Sequence, residues 1–169
     1  MAERDDLAKL REALVAFPLH KTDWGPGPWL DEPDRVEFRH AGLPCLLNRN
    51  RMGTWCGYVA VPPGHALHGK HYNDADVRVH GGLTYADRCS GEICHTPEPG
   101  EPDDVRWFGF DCGHGGDFVP ALDTMMRERY GGLPNDATFY EGARYRDLAY
   151  VRRQTESLAE QLAGVSHRA

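Results

Sequence analysis

The polar groups that could carry chemistry cluster with the histidines, seven of which lie between His40 and His114. The densest group is Asp111-x-x-His114-x-x-Asp117, in a loop that also contains three glycines. Carboxylates together with imidazole suit zinc, manganese or iron better than calcium, so this loop could fold three ligands around one divalent ion. The alternative is an ordinary turn in which Asp111 and Asp117 accept hydrogen bonds from backbone amides.

His80 is the second candidate, and it lies in the alternating stretch VRVHGGLTYA. Alternation sends the two valines to the core-facing side of a strand and His80 to the opposite side. The glycines at positions 81 and 82 carry no side chains, which lets a ligand or another backbone approach closely. If this strand neighbours the strand that leads into Asp111, side chains on that face stand about 5 Å apart. The sequence therefore predicts one catalytic or metal-binding pocket that holds His80, Asp111, His114 and Asp117.

Three further histidines, His65, His68 and His71, follow one another at three-residue spacing. This spacing can hold zinc or another borderline metal, and on a helix it would bring the imidazoles within reach of one another. Glycines at positions 64 and 69 favour a loop instead, so a polar, histidine-rich surface loop is the alternative interpretation. His65 is the member of this group that we add to the predicted catalytic pocket.

The five cysteines are expected to be reduced thiols, because an odd number cannot all pair and the acidic start of the chain is unlike a secretory signal peptide. Cys89-x4-Cys94-His95 gives a weak indication of structural zinc, with an ordinary exposed loop rich in proline and glycine as the alternative. Cys112, close to His114, could be a nucleophile, but its acidic neighbours oppose the lowered pKa that a reactive thiol needs.

The elements that must position these groups follow in the order helix, strands, helices. An amphipathic helix is predicted before Pro18. Segments of period two then predict five strands, at RVEFRHAG, PCLLNRN, WCGYVAVP, VRVHGGLTYA and VRWFGFDC. Two helices follow, a short one over VPALDTMMRERYGG and a long one over YRDLAYVRRQTESLAEQLAG, with Gly164 as the C-cap of the long helix.

The long helix is expected to pack on the sheet through one face. Residues at helical spacing on that face are Leu148, Thr155, Leu158 and Leu162. The order of elements lacks the alternation that is typical of a parallel sheet. We therefore predict a single α+β domain over residues 1–169, with a mostly antiparallel sheet of about five strands packed by N- and C-terminal helices. Residues 164–169 should form a frayed tail.

Composition and charge exclude several classes of function. The chain has 169 residues, 26 acidic and 19 basic side chains and a formal net charge of -7, and without a basic tract we expect no nucleic-acid partner. No apolar run approaches the roughly 20 residues of a membrane span. None of the three serines lies in the G-x-S-x-G pattern of a serine hydrolase. We expect a cytoplasmic protein whose partner is a small-molecule ligand or another protein.

Four segments, CGYVAVPPGHALHGKHY, VHGGLTYA, WFGFDCGHGGD and YRDLAYVRRQTESLAEQL, together resemble a family of small uncharacterised proteins from bacteriophages and bacteria, actinobacteria included. The similarity spans about residues 55–162 and implies no established activity, cofactor or substrate. Five positions match residues typical of that family, namely His65, His80, Asp111, His114 and Asp117. Three residues depart from its pattern, namely His68, His71 and Cys112, and segment 87–104 is longer than usual. The resemblance thus favours the pocket over the three-histidine and thiol hypotheses.

Two functions fit these residues. The first is a small metal-dependent hydrolase, in which a divalent zinc, manganese or iron cofactor lowers the pKa of bound water and His65 or Asp117 acts as general base. The second is a non-enzymatic phage or host accessory protein that binds a small ligand or a partner protein through the same polar pocket. Only the first function requires an open coordination position on a metal.

Overall fold

In the computed structural model, residues 20–130 and 142–165 are described, and they form one antiparallel sheet with two helices. The strands are β1 (Arg35–His40), β2 (Leu43–Arg49), β3 (Trp55–Val61), β4 (Tyr85–Arg88) and β5 (Arg106–Asp111). Helix α1 spans Pro120–Tyr130 and helix α2 spans Leu148–Val165. The predicted α+β class is confirmed. The predicted N-terminal helix, the glycines at 131 and 132 and the tail from residue 166 lie outside the described residues.

The sheet has the order β1-β2-β3-β5-β4, and every neighbouring pair is antiparallel. The β2–β3 turn is held by Asn50, whose Oδ1 accepts hydrogen bonds from the amides of Met52 and Thr54. Every residue of β3 is buried, because the strand is central and both faces of the sheet are covered. No helix within the described residues is long and apolar enough to cross a membrane.

Helix α2 covers one face of the sheet, as the spacing predicts. Its buried residues include Thr155, Leu158 and Leu162, and they pack in one cluster with apolar residues of the strands. Gly57 of β3 permits the close approach, since a Cβ there would lie 2.2 Å from the Oγ1 of Thr155. The predicted cap at Gly164 is wrong, because the helix continues through this residue to Val165.

The other face of the sheet is covered by the segment between β4 and β5. A disulfide joins Cys89 and Cys94 in this segment, so for these two cysteines the predicted reduced state and zinc site are both wrong. The segment is attached to the sheet because Arg35 donates to the carbonyl oxygens of Glu92 and Cys94. His95 then lies edge-on to the buried Trp107, with 5.4 Å between ring centroids.

The predicted fourth strand over residues 77–86 is wrong in its first part, because β4 begins only at Tyr85. Two glutamines of α2 bind the backbone that a neighbouring strand would otherwise bind. Gln161 accepts from the amide of Arg78 at 2.7 Å and donates to its carbonyl oxygen at 2.8 Å. Gln154 accepts from the amide of His80 at 3.0 Å. Two successive glycines with positive φ, at 66° and 82°, then interrupt the extended backbone.

Candidate functional site

His80 and the turn after β5 meet against the first turns of α2. The Nε2 of His80 lies 2.7 Å from the Oδ2 of Asp117, and the rings of His80 and His114 are 5.7 Å apart between centroids. The predicted convergence of these residues is therefore present. Its cause differs from the expected one, since His80 lies in a loop bound to α2 and not in a strand beside β5.

Asp117 is a buried carboxylate whose two oxygens both accept hydrogen bonds. Its Oδ2 accepts from the amide of His114 at 3.1 Å as well as from His80, and its Oδ1 accepts from the Nε of Arg146 at 2.7 Å. Burial works to raise the pKa of this carboxyl, but the hydrogen bonds from Arg146, His80 and the His114 amide outweigh burial and hold the pKa below its usual value. Asp117 is thus a charged acceptor at neutral pH.

The partners of His80 assign the position of its proton. An ionised carboxylate can only accept, so the Nε2 of His80 carries the hydrogen that faces Asp117. When the ring is neutral, its Nδ1 can accept from the hydroxyl of Tyr150, whose oxygen lies 2.9 Å away. The His80 side chain is 13 % exposed. In this arrangement the imidazole could take a proton from that hydroxyl group.

Tyr150 and Arg146 complete this group, which we call the His80 network (His80, Asp117, Tyr150 and Arg146). The guanidinium of Arg146 lies 4.8 Å from the centroid of the Tyr150 ring. Neither residue was among the sequence candidates. The available signal in the sequence is their four-residue spacing, which would place both on one face of a helix that began before residue 146. In the structure α2 begins at Leu148, so Arg146 lies in the segment that leads into the helix.

Asp111 and His114 flank the His80 network. Asp111 accepts from the hydroxyl of Thr84 at 3.2 Å and from the amide of Gly113 at 2.9 Å. The ring of His114 fills the space beside Gly81, where a Cβ would approach the ring to 2.1 Å. The space expected at this glycine is therefore taken by an imidazole of the protein. The 3.7 Å between His114 Nε2 and Asp111 Oδ1 is an ion pair only when the histidine is protonated.

The predicted divalent metal would compete with protein partners for several of these donors, and the metal site stays a prediction. Both nitrogens of His80 already have protein partners, so an ion bound to His80 would have to displace one of them. Each oxygen of Asp111 and of Asp117 accepts at least one hydrogen bond, and a carboxylate oxygen has two lone pairs. Across residues 20–130 and 142–165, no group of three or more histidine, cysteine or acidic side chains is placed to hold an ion.

His65 lies outside the His80 network, which corrects its predicted membership of the pocket. It is buried; its Nε2 donates to the carbonyl oxygen of Leu162 at 2.9 Å and its Nδ1 accepts from the amide of Leu67 at 3.1 Å. Leu162 is twelve residues after Tyr150 on α2, or about 18 Å along the helix axis. His65 therefore secures the C-terminal end of α2 to the loop after β3.

The other two histidines of that group and the last thiol candidate also serve the local structure. His68 contacts the carbonyl oxygen of Asp104 at 2.8 Å, and His71 accepts from the amide of Asn73 at the start of a 3-10 turn. The three histidines thus do not converge. Burial raises the pKa of the Cys112 thiol far above its usual value, so this cysteine is not an activated nucleophile.

A second polar cluster, which we call the Arg49 network (Arg49, Glu32, Asp34 and Tyr145), was missed by the sequence reading. Arg49 donates to Glu32 and Asp34, each at 2.8 Å, and also to the hydroxyl of Tyr145. Glu32 accepts in addition from the amide of Leu148, the first residue of α2, at 2.8 Å. Burial works to raise the pKa of Glu32, but these donors outweigh burial and hold it below its usual value. The Arg49 network anchors the start of α2.

Comparisons with protein-family models, with curated proteins and with solved structures gave no match. The resemblance to bacteriophage and bacterial proteins stays a prediction from the four sequence segments.

Proposed function

We propose that this protein is a hydrolase that cleaves esters, with the hydroxyl of Tyr150 as the nucleophile and His80 as the base. One observation supports this proposal above the others: Tyr150 contacts His80 at 2.9 Å, His80 contacts Asp117 at 2.7 Å, and Arg146 donates to the other oxygen of Asp117 at 2.7 Å. A nucleophile within reach of a base, with the base oriented by a third group, is the arrangement that activates a hydroxyl.

The proposed reaction has two halves. In the first, the Oη of Tyr150 attacks the ester carbon or phosphorus, its proton passes to the Nδ1 of His80, and the leaving alcohol departs with that proton. In the second, water attacks the ester formed on Tyr150 and its proton passes to His80. Tyr150 Oη then leaves and regains the proton, so the net reaction is ester plus water to acid plus alcohol. Asp117 stays ionised throughout and stabilises the protonated ring of His80.

The experiment is a screen of chromogenic esters with protein purified without an affinity tag. The panel contains p-nitrophenyl acetate, p-nitrophenyl phosphate and bis(p-nitrophenyl) phosphate, each with chelator and with added zinc or manganese. We expect turnover in chelator that falls about 100-fold or more in Tyr150→Phe and in His80→Gln. Peptide mass spectrometry of the rapidly quenched reaction should find the acyl or phosphoryl group on Tyr150.

Two matched variants control for general damage to the fold. Tyr72→Phe removes a half-buried tyrosine hydroxyl elsewhere, and His40→Gln removes a histidine that pairs with Glu160 at the surface. Both should keep the wild-type rate. Turnover that needs added metal and survives Tyr150→Phe would contradict the tyrosine mechanism and support the metal-dependent hydrolase instead. Absence of turnover with all three esters would contradict the hydrolase proposal.

The second candidate is the accessory protein that binds a ligand or partner without catalysis. The observation that favours it is the full occupation of His80 and Asp117 by protein partners, which is also what a purely structural network requires. Under this alternative, His80→Gln lowers the unfolding temperature and no ester in the panel is hydrolysed.

A further inference from the structure

Arg146 has more donors than its protein partners use. Its Nε donates to Asp117, whereas its two terminal nitrogens, Nη1 and Nη2, have no hydrogen-bond partner within residues 20–130 and 142–165. The side chain is 26 % exposed. The hydrogen bond to Asp117 raises the pKa of Arg146 above its already high value, so the guanidinium is always charged. The Nη1 and Nη2 of this charged guanidinium, which we call the Arg146 fork, therefore face solvent beside Tyr150, the proposed nucleophile.

The position of this fork is fixed on two sides. Asp117 holds the Nε edge of the guanidinium, and the ring of Tyr150 lies below the guanidinium plane at 4.8 Å. A guanidinium held in this way loses little rotamer entropy when a ligand binds to its remaining nitrogens. The nearby carboxylate of Asp147 accepts from the amide of Tyr150 at 2.7 Å, so it already has a partner inside the helix.

We infer that the Nη1 and Nη2 of Arg146 bind an oxyanion of the substrate, a carboxylate or a phosphate, next to the hydroxyl of Tyr150. The inference rests on the proposed function, because it names the class of ester that the same site takes. Two parallel N–H···O bonds match the geometry of either oxyanion, and such charge-assisted pairs are stronger than neutral hydrogen bonds. An anionic group bound there places the adjoining ester bond beside Tyr150.

The test measures the binding of inorganic phosphate and of acetate, without turnover, from the histidine and tyrosine ring signals in NMR at low salt. Arg146→Lys keeps the charge and loses the fork, and we expect it to weaken binding roughly 10-fold or more. Arg153→Gln is the matched control, since Arg153 is an exposed arginine of α2, seven residues after Arg146. It should leave the affinity within about twofold. Tighter binding of phosphate than of acetate would indicate that the anionic group of the substrate is a phosphate. Tighter binding of acetate would indicate that it is a carboxylate.

Further variants separate this inference from the proposed function. Tyr150→Phe removes the proposed nucleophile but keeps Arg146, so anion binding should persist while turnover is lost. Arg146→Gln should lose binding, and a thermal melt of the same sample establishes that the variant is folded. Equal weakening in Arg146→Lys and Arg153→Gln would mean nonspecific attraction and would overturn the inference. So would the absence of a saturable shift in the wild-type protein. Neither result would decide whether Tyr150 reacts with neutral esters.

Discussion

The Arg49 network and the His80 network sit at the two sides of the start of α2 and use the same types of side chain in different ways. The Arg49 side chain is 2 % exposed, and its Nε, Nη1 and Nη2 all donate to protein acceptors. Arg146 is 26 % exposed and only its Nε has a protein partner within the described part of the chain. All three side-chain nitrogens of Arg49 are therefore bonded within the fold, whereas Nη1 and Nη2 of Arg146 have no hydrogen-bond partner among the described residues.

The same contrast holds for the two tyrosines. The hydroxyl of Tyr145 contacts both Arg49 and Glu32, so its donor and an acceptor site are both occupied. Among residues 20–130 and 142–165, the hydroxyl of Tyr150 has one hydrogen-bond partner, His80, which leaves acceptor sites on its oxygen for a substrate or for water. A buried network with every donor matched fixes the geometry, whereas a partly exposed one with unmatched donors can act on another molecule. This difference is why we place the chemistry at His80.

The largest expected effect is on the Arg49 network. Arg49→Met should lower the free energy of unfolding by about 3–5 kcal/mol, because it leaves Glu32 as a buried charge without its partner. Urea unfolding followed by circular dichroism measures the loss. Arg39→Met, which breaks the more exposed pair of Arg39 with Glu101, serves as the control and should cost no more than about 1 kcal/mol. Equal losses in the two variants would mean that the Arg49 network does not hold the fold.

Acid should weaken the His80 network through its carboxylate, Asp117. A carboxyl whose pKa is lowered on folding stabilises the native state above its ordinary pKa, 3.8 for Asp117, and this contribution is lost as the pH falls through the native pKa. Asp117→Asn should therefore lower stability by about 1–3 kcal/mol at neutral pH and flatten the loss of stability in acid. Urea midpoints measured across a pH series test this, and a slope in acid equal to that of the wild-type protein would contradict it.

Two adjacent glycines test how tightly His114 is packed beside the His80 network. Gly81 and Gly82 both have positive φ, so alanine is strained at either position. Only at Gly81 does the added Cβ meet another group, the ring of His114. Gly81→Ala should cost roughly 1–3 kcal/mol more than Gly82→Ala, and it should displace the His114 ring signals in NMR. Matching melting temperatures for the two variants would show that His114 is not held against Gly81.

The smallest effect on stability is expected at Tyr150, the proposed nucleophile. Tyr150→Phe removes one hydrogen bond at a half-buried position and should cost about 0.5–1.5 kcal/mol. Tyr145→Phe should cost more, because it leaves both Glu32 and Arg49 short of a partner. Thermal melts of the two variants give the comparison. A larger loss for Tyr150→Phe than for Tyr145→Phe would reverse the roles that we assign to the two networks.

The sequence predicted the parts of the fold that depend on local periodicity. The buried face of α2, with Thr155, Leu158 and Leu162, follows from helical spacing, and the β1–β2–β3 meander follows from alternation between turns. The convergence of His80 with Asp117 was also expected, but from a strand beside β5 that would have carried His80, and the structure has a loop there instead.

The remaining parts depend on partners that are distant in the sequence. Tyr150 is 70 residues from His80, and Arg146 is 29 residues from Asp117. No local pattern records such pairs. The stretch over residues 77–84 has the alternation of a strand, yet its backbone binds glutamine side chains, because a side-chain amide offers the same donor and acceptor as a peptide group. The Cys89–Cys94 disulfide was missed because the reduced state was inferred from the odd number of cysteines and from the acidic character of the first residues.

The binding of residues 78 and 80 by Gln161 and Gln154 has a consequence for the order in which the protein assembles. The bonds join positions 83 and 74 residues apart, so all five strands leave the ribosome before the helix that holds His80 in place. A chain interrupted before residue 146 carries the strands but has neither Arg146 nor Tyr150. During synthesis, the hydroxyl, the base and the cation therefore come together only when α2 docks, and any activity appears in one step at that moment.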